Sequence, residues 1–225
     1  MKQNVITMSM CVLALCVAAG SSFAGIIGTT GDVTVIAPPP DATQDKLESN
    51  STIFAWVEKQ IFKLPVGVTT NASAPGLYDS PADLSNATLP AGSWVHSYYV
   101  HADYVGSPPP GTAGTWLSGS ITFEEDILGV ITTDGDLLAA HPILGAPGTL
   151  YDDGFATGLD LNDKPRWDRF ILSADMHTVE IVQFWVSTVR DSMRIVTFSV
   201  VPEPGTIALL TIGGAGLILR KRRRR

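Results

Sequence analysis

The end of the chain limits where a foldable body can lie. Thr206 to Leu219 is a run of 14 residues without a charge, and Arg220-Lys221-Arg222-Arg223-Arg224-Arg225 follows it directly. As a helix the run spans roughly 21 Å at ~1.5 Å per residue. That is short of the ~30 Å hydrocarbon core of a bilayer. Local thinning and snorkelling of Arg220 cover the mismatch. The basic cluster does not cross hydrocarbon and acts as a cytoplasmic stop, which places everything before the span on the other side. Val201-Pro202-Glu203-Pro204-Gly205 comes just before it. Two prolines without backbone N–H and with fixed φ make this stretch an extended, exposed handle. Gly213, Gly214 and Gly216 leave one face of the expected helix bare, so another membrane helix can approach closely.

The beginning carries a second processing segment. Lys2 supplies a positive start, and Val5 to Ala19 is an uncharged, mostly apolar stretch of 15 residues. Ser22-Phe23-Ala24 places small side chains at the −3 and −1 positions before Gly25. This is the layout of a secretory signal cleaved between Ala24 and Gly25, handled by the Sec machinery and signal peptidase. The stretch is too short for a permanent span. Cys11 and Cys16 both lie inside it and are the only two cysteines. Leu15 stands before Cys16, where a lipid-attachment signal needs a small residue. The mature chain then has no disulfide, no Cys-ligated zinc and no thiol nucleophile. The expected organisation is a signal peptide over 1–24, an extracytoplasmic domain over 25–200 and a sorting segment over 201–225.

Residues 25–205 hold eight Lys/Arg and all 22 Asp/Glu, a net charge of −14. Nucleic acid demands a basic face, so no nucleic-acid partner is expected. About 175 residues suffice for one domain with its own core.

That domain reads as β-rich. In Ser93–Tyr104, Trp94, His96, Tyr98, Val100, Ala102 and Tyr104 point one way, and Ser97, His101 and Asp103 the other. Period-2 alternation predicts a half-buried strand. Further strands are predicted at Val33–Ile36, Ser118–Glu124, Leu128–Thr132, Arg169–Ser173, Thr178–Ser187 and Met193–Val201. Thr52–Leu64 also fits a helix face, but its β-branched and aromatic content favours a strand. Turn clusters separate them at Gly106–Gly111 and Thr133-Asp134-Gly135-Asp136, and Ala37–Asn50 is a Pro- and acid-rich connector. No run of amphipathic helices is evident. The expected fold class is all-β: an antiparallel, jelly-roll-like β-sandwich, followed by a single short C-terminal transmembrane helix at about 206–219.

The tail resembles a known family. Val201-Pro202-Glu203-Pro204, a short glycine-bearing span and a terminal Arg/Lys cluster, in that order, are similar to the PEP-CTERM sorting signal. The resemblance implies recognition of Pro202, Glu203 and Pro204 by exosortase, a membrane protease of Gram-negative biofilm formers. It further implies removal of the tail and release to the cell surface or an extracellular polysaccharide matrix. Ser97–His101, Gly119–Phe123 with Ile127–Ile131, and Asp191–Ile195 are similar to a recurring sandwich domain of such proteins, for which the family implies no defined activity.

Candidate chemistry in the middle is sparse. His96 and His101 are five apart and lie on opposite faces of one strand; His101 and Asp103 share a face and could meet a metal or a hydroxyl. Acidic groups cluster at Glu124-Glu125-Asp126, Asp134/Asp136, Asp152-Asp153 and Asp160/Asp163/Asp168. Loop carboxylates of this kind hold calcium, and Asp160-Leu161-Asn162-Asp163 starts like a calcium loop before Lys164-Pro165 breaks it. No cofactor is expected, with calcium as the alternative. No catalytic motif occurs, and no spacing selects two acids for glycoside cleavage. The expectation is a non-enzymatic structural or binding protein, with polysaccharide as a partner. The alternatives are a surface hydrolase and a permanently anchored envelope protein. An exposed strip of Trp and Tyr on one sheet face would point to carbohydrate.

Overall fold

The computed structural model describes residues 25–106, 114–152, 157–162, 167–187 and 190–199. The leader with Ala24, the Pro202-Glu203-Pro204 handle, the expected span at 206–219 and the tail Arg220–Arg225 lie outside these residues. So do Asp153, Asp163, Lys164 and Pro165. Among the described residues no helix is long and apolar enough to cross a membrane.

The strands are β1 (Ile26–Gly31), β2 (Val33–Val35), β3 (Ile53–Lys63), β4 (Val68–Thr70), β5 (Gly76–Tyr78), β6 (Ala87–Leu89), β7 (Trp94–Ala102), β8 (Thr115–Phe123), β9 (Ile127–Ile131), β10 (Arg169–Leu172), β11 (Thr178–Val186) and β12 (Asp191–Phe198). A 3-10 turn covers Pro81–Asp83, and one helix, α1, covers Asp134–Leu144. A first sheet has the order β1-β8-β11-β10-β5, and a second has β2-β3-β7-β12-β9. β4 and β6 form a small ribbon. Every pairing is antiparallel except β2 with β3.

Alternation in the strands decides what meets what. Leu117, Ile121 and Phe123 of β8 and Val179, Ile181 and Phe184 of β11 come from the first sheet. They share one apolar cluster with Ile53, Ala55, Tyr98, Val100, Met193 and Ile195 of the second. The opposite face of the second sheet has its own cluster, in which Trp56, Val95, Tyr99 and Val196 meet Leu137, Ala140 and Leu144 of α1. The second sheet is therefore covered on both sides, and the first on one.

This corrects two expectations. The strand through Ser93–Tyr104 is not half-buried: Val95 to Ala102 are all buried. Ser97, His101 and Asp103 face the helix layer instead of water, and each has a polar partner there. Thr133-Asp134-Gly135-Asp136 is not a separating turn but the start of α1. The Thr133 side chain accepts from the Asp136 N–H, and Asp134 and Asp136 sit in the first turn, where a helix favours a capping hydroxyl and negative charge. The connector 37–50 has no regular strand, yet it is tied down. Ala42 N–H donates to the Leu150 carbonyl at 2.9 Å, and Ser49 N–H to the Asp103 carbonyl at 2.8 Å.

Candidate functional site

The uncovered face of the first sheet is built from the alternate residues that the core does not take. In β8 those are Trp116, Ser118, Ser120 and Thr122. Cross-strand register extends them into rows. Leu77, Ile171, Glu180, Ser120 and Thr30 stand side by side across all five strands. Thr30 Oγ1 and Ser120 Oγ are 2.8 Å apart, and Thr122 and Thr178 pair their hydroxyls at 3.2 Å in the next row. Between the rows lies a shallow groove of about 450 Å³, lined by Thr30, Ser118, Ser120, Thr178, Glu180 and Val182 among others.

Trp116 and Trp185 stand on the same face. They are register partners, with ring centroids 5.1 Å apart in an edge-to-face arrangement at 69°. Trp116 remains 47% exposed. Two features hold the pair in place. A shift in the β11 register between Ile181 and Phe184 brings Trp185 to the open side while keeping Phe184 in the core. The backbone of Gly114 lies on the Trp185 indole, where a Cβ would come within 2.6 Å of the ring. The backbone N–H of Trp185 donates to Asp168 Oδ1 at 2.9 Å. From Trp116 to Ser120 is four residues, about 13 Å of strand. A rigid aromatic pair thus stands at one end of a hydroxyl-lined groove that carries one carboxylate, Glu180. Among the described residues, Leu77 and Val182 are also exposed apolar side chains on this face.

The helix side of the second sheet holds the other polar concentration, and it is closed. Arg194 donates from Nε and Nη2 to the two Glu58 oxygens at 2.6 and 2.8 Å, and Ser97 donates to Glu58 Oε2 at 2.6 Å. The guanidinium lies over Tyr99 and Tyr151 at 5.1 and 5.7 Å, and its Nη2 faces His141 Nδ1 at 3.1 Å. Burial, then Arg194, pushes the His141 pKa down to about 3. The Tyr99 phenol is pushed up to about 12 by burial. Neither group is set up to exchange protons with solvent at neutral pH.

The residues singled out in the sequence fall as follows. His96 and His101 do lie on opposite faces. His101 pairs with Ser192 Oγ at 3.1 Å, and its pKa is driven down to about 3 by burial and then by Arg190. Asp103 instead accepts the Asp45 N–H at 2.8 Å, so His101 and Asp103 are held by different partners. The loop acids mostly accept backbone donors. Asp134 takes Thr157 and Gly158 N–H at 2.8 and 2.6 Å. Asp168 takes Asp160 N–H at 2.7 Å, and Asp152 pairs with Arg190 at 2.8 Å. Among the described residues no three acids or histidines converge to hold a metal. Gly25 is described and buried, just ahead of β1; Pro202, Glu203, Pro204 and Arg220–Arg225 are not described. The Trp116–Trp185 pair escapes the sequence because the strand predicted from Ser118 stops one pleat short of Trp116. Extending the alternation back by one turn of the pleat would have included Trp116.

Residues 200–224 match the PEP-CTERM protein-sorting motif. No curated protein and no solved structure matches the chain. The chain carries this sorting motif at its C-terminal end, and the motif implies export, a membrane-anchored precursor and exosortase processing.

Proposed function

We propose that the domain is a non-enzymatic polysaccharide-binding module displayed outside the cell after its leader is removed at Ala24–Gly25 and its tail is cut near Pro202-Glu203-Pro204. One observation carries the binding part: a tryptophan pair, Trp116 exposed and Trp185 half-buried against it, beside rows of hydroxyls on an otherwise open sheet face. A pyranose has an apolar C–H face and a rim of hydroxyls. An indole ring offers apolar area with an electron-rich face, and Ser, Thr and Glu offer both donors and acceptors for the rim. The net charge of −14 over residues 25–205 repels polyanions, so the partner is a neutral polysaccharide of the matrix.

The reading treats the two sheets as the layers of a jelly-roll-like sandwich. The shared apolar cluster supports it. So does the strand order: β7 pairs with β12 in one sheet and β8 with β11 in the other, with β9 beside β12 and β10 beside β11. That nesting is how a jelly roll wraps a long hairpin around itself. Binding is favoured over hydrolysis because glycoside cleavage needs two facing carboxylates. The groove on the open face has Glu180 alone, and the smaller one of about 90 Å³ between β4 and α1 has Asp136 alone. Asp134 and Asp168 accept backbone N–H groups and Asp152 pairs with Arg190, and the reading includes no cofactor.

The test is a glycan array together with affinity electrophoresis in neutral and acidic polysaccharide gels. The expected result is retardation by a neutral polysaccharide that falls at least tenfold in Trp116→Ala, a change on an exposed side chain. Equal retardation of wild type and variant, or steady release of reducing ends, overturns the reading.

A further inference from the structure

We infer that the fold contains a receptor for its own processed N-terminus: the ammonium group created on Gly25 docks on Glu125 and locks the start of β1. The inference rests on the proposed cleavage at Ala24–Gly25 and adds a partner and a structural consequence to it.

Gly25 is not a loose end. It is buried, its φ is +100°, and its carbonyl accepts the Glu124 N–H at 2.8 Å. A Cβ at this position would run into the Tyr98 hydroxyl and lie 3.2 Å from Glu125 Oε2. Only glycine fits, both for its backbone conformation and for this close approach. The Glu125 carboxylate is therefore beside the backbone of Gly25.

Glu125 Oε2 is buried and has no hydrogen-bond partner. Its sister Oε1 is 3.7 Å from His96 Nε2, beyond a direct hydrogen bond. Burial lowers the His96 pKa, with Glu125 opposing, so His96 is uncharged at neutral pH and does not neutralise the acid. The other groups nearby are also taken or neutral. Tyr98 stays protonated because burial raises its pKa, Asp126 pairs with His177 at 3.1 Å, and Glu124 adds a second negative charge. A buried acceptor without a donor needs an explanation, and here it is a group that the uncut chain does not yet possess.

Hydrolysis supplies it. Water cleaves the Ala24–Gly25 peptide bond; the carboxylate leaves on Ala24, and the Gly25 nitrogen takes up a proton to become –NH₃⁺. One neutral N–H becomes three donors with a positive charge, which stays charged below an ordinary α-amino pKa of about 8. A charge-assisted bond to Glu125 then fixes the first residue of the first sheet only after the leader is gone.

The full chain is exported from a Gram-negative host, the processed protein is purified, and its first residue is read by mass spectrometry. The α-amine is then acetylated at pH 7 with an activated ester, in wild type, Glu125→Gln and Glu124→Gln. The expected result is a chain starting at Gly25 whose α-amine reacts about tenfold faster in Glu125→Gln, with Glu124→Gln close to wild type. A different first residue overturns both the cleavage reading and the lock. A Gly25 start with equal rates overturns the lock alone. Should Glu125→Gln not accumulate, the pH dependence of acetylation in wild type decides: an α-amine pKa above about 8 supports the lock, and an ordinary one sinks it.

Discussion

Arg194 is completely buried, and its guanidinium is surrounded by Glu58, His141, the Leu137 carbonyl, Tyr99 and Tyr151. Removing one member of a buried ion pair leaves the other uncompensated. Arg194→Met alone should cost about 3 kcal/mol or more, read as a Tm drop of roughly 10 °C. Glu58→Leu combined with Arg194→Met should recover most of that loss, because the pair repays little more than its own desolvation. A second residue-scale test concerns pH. Burial raises the Asp168 carboxyl and, with the charge of Asp168, raises Asp191 well above the carboxylate range. The folded chain holds protons that the unfolded chain releases near pH 4. This contribution is complete below pH 4 and is lost as pH rises through the raised folded values. His101 and His141, lowered to about 3 by burial, act in the opposite sense. Their contribution is present above pH 6.5 and is lost as pH falls. Stability should therefore peak in the mildly acidic range and decline on the alkaline side. In Asp191→Asn, denaturant midpoints should fall less steeply from pH 7 to 9 than in wild type, while the Asp168 contribution is still lost around pH 7; a decline as steep as wild type would contradict the assignment.

At the scale of elements, alternation was the legible part. β2, β3, β7, β8, β9, β10, β11 and β12 fall where the apolar period places them, to within a few residues. β4, β5 and β6 escape the reading because Gly67, Asn71, Pro75, Gly76, Asn86 and Pro90 at or beside them spell turns, and β1 because Gly28, Thr29, Thr30 and Gly31 carry no apolar signal. α1 was hidden by its Asp-Gly-Asp start, which spells a turn as readily as a cap. Burial of β7 on both faces was hidden because Ser97, His101 and Asp103 look like a wet face; a polar residue bonded under a helix has the same letter as one in water. The open face was legible only in part, since its rows depend on register between strands far apart in sequence. Two predictions belong here. Thr133→Ala removes the α1 cap and should cost about 1 kcal/mol, seen as a lower denaturation midpoint. Ile61 sits at φ +47° where β3 shifts register against β7, a conformation costly for a branched side chain. Ile61→Gly should therefore stabilise the domain by about 1 kcal/mol, checked by the same melt.

For the whole molecule, the described body starts its first strand at Ile26 and ends its last at Phe198, and the sorting motif begins at residue 200. The two proposed cuts thus fall just outside the strands, so both ends can be lost without removing a strand from either sheet. A permanent anchor would leave the domain tethered by its basic tail, whereas exosortase processing frees it with the same fold and the same open tryptophan face. The intact mass of the protein recovered from the cell surface or matrix separates these fates most directly. The account predicts a chain that begins at Gly25 and has lost Arg220–Arg225 together with the apolar run before them; a surface-recovered chain still ending in those six residues would contradict it.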